Sequence, residues 1–365
     1  MLDSHQLLVN LSIIFSQPTG ISNYVKNLFP YLKPLAPTLL SSQAELDFPC
    51  YPIPNNLTPA DGSKGHLRRL LWTQFQLPKI YRKLKSRLLF SPIPEAPLWS
   101  GCSSIVVVHD FIPLRFPKRF SPLTPYHRHY VPQVLSQAQH IICNSRSTAN
   151  DIIKFCQISA NKISPILLGY DRQHFQPLSE NLDQPTLGSQ YFLYVGRYDP
   201  YKNISRLISA FADLPSRDEY QLWLSGPNDP RYVPALKQQA QDLGIEERVK
   251  FLGYVGYDDL PRLIGGAIAL VFPSLWEGFG LPVLEAMACG TPVITSNLSS
   301  LPEVTGDAAI LIDPYQVAEI ADAMQAIATQ SHLRTHYAQL GLARASQFSW
   351  QKTGQETIDV LKQFL

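Results

Sequence analysis

The chain has 365 residues, of which 45% are apolar, 11% aromatic and 16% charged, with a formal net charge of +2. This length exceeds what one hydrophobic core usually supports, so two domains of ordinary size are expected. The apolar content excludes a disordered chain, and so mild a charge lacks the basic footprint of a nucleic-acid binder.

Cys50, Cys102, Cys143, Cys156 and Cys289 form no CxxC pair and no metal-ligand spacing, so they read as reduced and mostly buried. The first ten residues have an early Asp3, no basic start and too short an apolar run for a signal peptide. No run of about 18 apolar residues occurs to span a membrane, and the cytoplasm is the expected compartment.

In chain order, Gln6 to Asn10 reads as a strand and Ser22 to Tyr31 as a helix. From Leu32 to Pro97 the prolines are dense and the pattern gives no firm element. Within this region Gly62 to Pro94 holds no acidic residue, but carries Lys64, Arg68, Arg69, Lys79, Arg82, Lys83, Lys85 and Arg87 among Trp72, Phe75 and Tyr81. The stretch fits either a solvated helix face or a contact with an anionic membrane. Ile105 to His109 and Gln139 to Cys143 are further strands, and Ser147 to Cys156 a helix. Arg172 to Ser189 turns polar, with Pro177, Pro185 and Gly188, and is the expected hinge.

Beyond the hinge, strands and helices alternate regularly. Tyr191 to Val195, Gln221 to Leu224, Val249 to Leu252, Ile268 to Phe272, Pro292 to Thr295 and Ala309 to Ile312 read as strands. Ile204 to Leu214, Tyr232 to Leu243, Asp258 to Ile264, Pro282 to Cys289 and Gln316 to Ala328 carry helical spacing, with Asn203 as an N-cap and Gly244 as a stop. Such alternation builds a parallel sheet covered on both faces. Trp350 to Leu365 closes the chain as one helix.

The most informative run is P-S-L-W-E-G-F-G-L-P-V-L-E-A-M-A-C-G-T-P-V-I, Pro273 to Ile294. A strand passes through a glycine-bearing loop into a helix, leaving free amides near Phe279, Gly280 and Leu281 where the helix dipole favours an anion such as a diphosphate. Glu277 and Glu285 would be repelled by phosphate, so their expected partners are the hydroxyls of a nucleotide sugar. Either glutamate alone also fits a bland role, but the complete motif favours a site.

A second run, Y-F-L-Y-V-G-R-Y-D-P-Y-K-N, ends a strand at Gly196 and places Arg197 and Lys202 on the next loop, two cations suited to a leaving diphosphate. They fit solvated surface residues equally well. His109 and Asp110 follow a strand in V-V-V-H-D-F-I-P-L, and Gly20 in P-T-G-I-S-N-Y precedes a helix. There is no G-x-x-x-x-G-K-[ST] loop, no complete G-x-G-x-x-G after a strand, no D-x-D pair and no H-E-x-x-H. An NTPase and a nicotinamide dehydrogenase are disfavoured, and a metal-free site is expected.

Taken together these motifs resemble the retaining glycosyltransferases of family 4, and within them a mannosyltransferase-like group. The resemblance rests on Glu277 and Glu285 in their motif, on V-G-R-Y-D-P-Y-K-N, and on V-V-H-D-F-I-P-L-R-F-P at Val107 to Pro117. It implies an α/β fold of the GT-B type, two Rossmann-like lobes with parallel sheets facing a central cleft. Residues 1–175 would be the acceptor-side lobe, 176–348 the nucleotide-sugar lobe, and 349–365 a helix returning to the first.

The resemblance also implies that Glu285 binds the ribose hydroxyls and Glu277 the transferred sugar. Arg197 and Lys202 would take the diphosphate, His109 the sugar and reaction centre, and Gly20 the phosphates. Relatives often carry G-x-G where this chain has Gly20 and Ser22, and Asn where it has Leu168 before Gly169. The implied activity is metal-independent transfer of a hexosyl group, with a lean to mannose from GDP-mannose, to a glycan or lipid-linked acceptor, with no nucleic acid involved. Apart from the resemblance, the basic residues of 62–94 leave peripheral membrane contact open beside a solvated helix face. A sugar-nucleotide epimerase of related fold and a catalytically silent accessory subunit are the rival readings. The intact set of His109, Arg197, Lys202, Glu277 and Glu285 speaks against silence.

Overall fold

Short apolar runs form two all-parallel sheets. The computed structural model describes residues 6–14, 20–42, 48–119, 121–178 and 190–365. The chain divides into two units, Met1–Gly169 with Trp350–Leu365, and Tyr170–Ser349.

In the first unit the strands are β1 (Leu7–Asn10), β2 (Thr38–Ser41), β3 (Cys50–Pro52), β4 (Leu88–Ser91), β5 (Ser104–Val108), β6 (His140–Cys143) and β7 (Ile163–Pro165). They pair in the order β3-β2-β1-β4-β5-β6-β7. Every residue of β1, β2, β4 and β5 is buried. A parallel sheet covered on both faces leaves no polar alternation to read. Leu8, Leu89, Val106 and Ile141 face Trp72, Leu77, Val134 and Ile152 from helices Gly62–Phe75, Leu77–Lys83, Val131–Gln137 and Arg146–Cys156. Ser145 caps the last of these, its hydroxyl accepting from the Thr148 amide at 3.1 Å.

The proline-dense region is therefore more regular than its composition indicates. It holds β2, β3, β4 and two helices, because its prolines fall between or at the ends of these elements, Pro52 as the last residue of β3 and Pro78 in the first turn of Leu77–Lys83, where no backbone donor is needed. The closing helix, Trp350–Lys362, belongs to the first unit, where Trp350 meets Tyr24 of helix Gly20–Leu32 edge-on, with ring centroids 6.1 Å apart.

The second unit contains β8 (Gln190–Val195), β9 (Tyr220–Ser225), β10 (Val249–Gly253), β11 (Ala269–Phe272), β12 (Val293–Ser296) and β13 (Ile310–Ile312), in the order β10-β9-β8-β11-β12-β13. Its helices Ile204–Ala212, Val233–Asp242, Leu260–Gly265, Leu281–Ala288 and Val317–Thr329 lie within two residues of the expected bounds at every end. Helix Ser331–Ala345 was not anticipated.

Asn203 departs from its expected role. It precedes the helix in a left-handed conformation, and its side chain makes no capping bond. Its amide instead donates to the carbonyls of Pro273 at 3.1 Å and Pro314 at 2.6 Å, tying the loop after β8 to those after β11 and β13. In the expected hinge, Arg172 donates to the Phe348 carbonyl and His174 stacks on Tyr257 at 3.9 Å. Residues 179–189 of that segment lie outside the described residues, as do Pro18 and Thr19 before Gly20. All five cysteines are free. Cys143 and Cys289 are buried and the other three half-buried.

Candidate functional site

Both sheets reverse their strand order once, the first between β1 and β4 and the second between β8 and β11. At such a reversal the loops leaving the two central strands run to opposite faces, which opens a crevice at the carboxyl ends. In the second unit those two loops are Gly196 to Asn203 and Pro273 to Gly280, the two runs that the sequence singled out. The amide of Leu275 donates to the Tyr201 carbonyl at 2.7 Å, and with Asn203 this fixes one loop against the other.

Across the crevice the Lys202 ammonium donates to Glu277 at 2.7 Å, with both side chains largely buried. Sequence reasoning assigned these residues separate partners, whereas the structure joins them as an ion pair. The Ser299 hydroxyl accepts from the Glu277 amide at 3.1 Å, and the Ser300 hydroxyl lies 2.7 Å from the Phe279 carbonyl, so the loop is held from behind. Arg197 sits at the rim. Its side chain is 65% exposed and touches the buried Asp199 carboxylate at 3.2 Å through Nε. Lys202 thus lies in the crevice, while Arg197 stands at its rim, paired with Asp199.

Gly280 precedes helix Leu281–Ala288 at φ 110°, and a Cβ there would stand 2.7 Å from a Leu301 methyl. Only glycine fits both constraints. Among the described residues the amides of Phe279, Gly280 and Leu281 have no protein acceptor, as the sequence led us to expect for the mouth of this helix. One turn into the helix lies Glu285, half-buried, its carboxylate without a hydrogen-bond or ion-pair partner among the described residues. Burial pushes its carboxyl up to about 7. A recessed carboxylate without protein donors is able to accept hydrogen bonds from a ligand's hydroxyls.

Other residues at this edge went unnoticed in the sequence. Gly226, directly after β9, packs so tightly that a Cβ would lie 1.9 Å from the Gly196 carbonyl oxygen. The same loop carries Asp229, which the Arg231 guanidinium holds down to about 2. The signal was available in S-G-P-N-D, a glycine directly after a strand, but a single glycine there carries little information by itself.

In the first unit His109 follows β5, and its Nε2 lies 2.8 Å from the Pro92 carbonyl in the loop after β4. That contact requires the proton on Nε2. Burial lowers the pKa below the ordinary histidine value, so the ring is neutral at neutral pH. Tyr24 meets the imidazole edge-on at 5.1 Å. Asp110 accepts from the Ile112 amide at 3.0 Å and so serves its own turn. Gly20 is the first residue of helix Gly20–Leu32 and is exposed, with open space where a Cβ would stand. Among the described residues no group of three or more His, Cys, Asp or Glu could hold a metal ion.

Residues 181–343 match the family Glycosyl transferases group 1, and residues 18–174 match Glycosyltransferase Family 4. Together the two matches span most of the chain, which belongs to the glycosyltransferases of family 4. It is 37% identical over 238 residues to O-antigen chain mannosyltransferase B of Escherichia coli, covering 62% of this chain and 61% of that protein. To O-antigen chain mannosyltransferase RfbU of Salmonella typhimurium it is 28% identical over 321 residues, covering 84% and 87%. A serotype-specific mannosyltransferase, WbdA of Escherichia coli, is matched over 33% of its length at 29% identity. The chain thus spans less than two thirds of several relatives that it matches.

Among solved structures, Anabaena HepE in complex with UDP-glucose superimposes with a TM-score of 0.77 at 20% identity, covering 98% of this chain and all of that one. Sucrose-phosphate synthase from Thermosynechococcus elongatus gives 0.76 at 20% identity, covering 98% and 99%. The fold is GT-B.

Proposed function

We propose that the protein transfers a hexosyl group, mannose, from a nucleoside diphosphate sugar to a hydroxyl of a glycan or lipid-linked acceptor, with retention at the anomeric carbon. The observation that carries this reading is the combination, at one strand-order reversal, of a buried cation, acceptor-free helix amides and a recessed carboxylate without protein donors. These are complementary to a diphosphate and to sugar hydroxyls respectively. The mannosyltransferases among its relatives favour mannose, with GDP-mannose as donor, and the synthesis of a surface polysaccharide as the setting.

In this reading the bond between the anomeric carbon and the β-phosphate oxygen breaks, and the electron pair leaves with the diphosphate. Lys202, Arg197 and the amides of Phe279, Gly280 and Leu281 stabilise the charge that builds there. Gly196 allows the loop after β8 to approach, and Gly20 serves the phosphates. Glu285 holds the ribose hydroxyls. Glu277, released from Lys202 as the diphosphate takes that cation, faces the sugar's developing positive charge. The acceptor oxygen bonds to the anomeric carbon on the face from which the phosphate departs and gives its proton to that phosphate, which yields retention. His109, neutral and with Nε2 committed to Pro92, contacts the sugar. No step requires a metal.

A panel of nucleotide sugars tested by thermal shift checks the donor. A ligand at about 100 times its dissociation constant stabilises by roughly 2.7 kcal/mol. GDP-mannose is expected to shift the transition and UDP-sugars are not. Equal shifts with UDP-glucose would reject the choice of base and sugar.

A further inference from the structure

The loop after β4, Pro92 to Leu98, leaves one of the two central strands at the first sheet's reversal, and a buried charge holds it. Glu95 is 1% exposed and sits in a tight turn that its amide closes onto the Ile93 carbonyl at 2.7 Å. Its carboxylate accepts from Arg69 Nε and Nη2 at 2.8 and 2.9 Å and from the Tyr126 hydroxyl at 3.2 Å. Arg69, 3% exposed on helix Gly62–Phe75, also donates to the Leu57 carbonyl at 3.2 Å and to His66 Nδ1 at 2.7 Å. Burial keeps the His66 ring below the ordinary histidine value and so neutral, which lets Nδ1 accept. The rest of the loop is tied down as well. The Ala96 carbonyl accepts from the Tyr130 hydroxyl at 3.0 Å and from Gln74 Nε2 at 3.1 Å, and Gln74 Oε1 accepts from the Leu98 amide at 2.9 Å. Tyr126 and Tyr130 are the ends of a π-helical turn and stack at 5.3 Å. Such turns are frequent at functional sites.

A buried ion pair is a costly way to hold a loop, since desolvation of both groups offsets most of their attraction and packed apolar residues stabilise as well or better. The pair does fix where the loop runs, and that loop reaches His109. Three residues before Glu95, the Pro92 carbonyl accepts from His109 Nε2 at 2.8 Å, the ring's one hydrogen bond among the described residues. This bond keeps the proton on Nε2 of the neutral ring and leaves Nδ1 as an acceptor. We propose that Glu95, clamped by Arg69, is a positioning residue for transfer: it holds the Pro92 carbonyl where that carbonyl fixes the tautomer and plane of His109. Nδ1 then accepts a hydrogen bond from a sugar hydroxyl. Without the clamp the other tautomer becomes accessible, and the acceptor atom turns into a donor. The inference rests on the reading above that His109 contacts the transferred sugar.

Nitrogen-15 spectra of the full chain labelled at histidine test the clamp with no donor present, the His109 signals being identified by their absence from His109→Asn. The parent is expected to show a neutral His109 ring protonated at Nε2. Glu95→Gln strands a buried guanidinium and lowers stability, so the deciding variant is Arg69→Met with Glu95→Leu. It removes both charges and keeps the packing, and its circular dichroism and unfolding temperature should stay close to the parent's. In it the His109 proton should be shared between the two nitrogens, and kcat should fall about 10- to 100-fold with the donor KM little changed. Tyr130→Phe, which removes one tie to Ala96 and no charge, should move both readouts in the same direction by less. The parent's tautomer in both the double variant and Tyr130→Phe would overturn the proposal, because the network would then be structural only. A shared proton with the parent's kcat would uphold the clamp and overturn instead the placing of His109 at the sugar.

Discussion

Lys202 and Glu277 are 75 residues apart in sequence, and their charged groups meet at 2.7 Å where the second sheet reverses its strand order. Because both are largely buried, removing one strands the other. Lys202→Ala is expected to cost about 3 to 5 kcal/mol of stability and to lower kcat by about 100- to 1000-fold. Lys202→Met with Glu277→Leu should recover most of the stability and none of the activity. Thermal unfolding beside donor kinetics separates the two effects. Recovery of activity in the double variant would make the pair merely structural.

Glu285 has a pH signature. Its carboxyl is raised from 4.5 to about 7 by burial, so the folded chain holds this proton more tightly than the unfolded chain does. The contribution is fully present below pH 4.5 and is lost as the pH rises through 7. Glu285→Gln should therefore gain stability relative to the parent across that window, by at most about 3 kcal/mol. Donor binding runs the other way, since the ionised carboxylate is the better acceptor of ribose hydroxyls. Parent affinity should improve from pH 6 to 8, and the Gln variant should lose that dependence. Denaturant melts and titrations at several pH values provide the check.

The glycine after β9 makes a purely steric test. A Cβ on Gly226 would stand 1.9 Å from the Gly196 carbonyl oxygen, an approach that backbone cannot relieve without moving the Arg197 loop. Gly226→Ala is expected to raise the donor KM about tenfold or more while the first unit remains intact. An unchanged KM would show that this loop does not position the cations.

The reading involves no divalent ion in the departure of the diphosphate. Transfer should persist in EDTA at its full rate. Loss on chelation, restored by magnesium or manganese, would mean that Lys202 and Arg197 do not suffice as counter-charge.

The second unit was largely legible because its strands alternate regularly with helical runs bounded by turn residues, so even the four-residue β11 and β12 and the three-residue β13 stand out between them. The first unit was less so. β2, β3 and β4 have only three or four residues each, and nothing in a run such as T-L-L-S distinguishes a buried strand from a buried helical turn. Helix Gly62–Phe75 defeats periodicity for another reason. It buries Trp72 but leaves Leu67, Leu71 and Phe75 exposed, and Arg69 was read as one more basic surface residue because its partner, Glu95, is 26 positions away. In the site itself residue types were readable, whereas pairings such as Lys202 with Glu277 depend on long-range topology.

The central claim is that the crevice at Lys202, Glu277 and Glu285 holds a nucleoside diphosphate sugar. Calorimetric titration of GDP-mannose into the parent and into Glu285→Ala tests it most directly, with folding of the variant confirmed by circular dichroism. Hydrogen bonds to a charged group contribute about 1.5 to 3 kcal/mol, so the account predicts saturable binding by the parent and a dissociation constant about 10- to 100-fold weaker in the variant. Equal dissociation constants, or no binding of any nucleotide sugar by the parent, would contradict it.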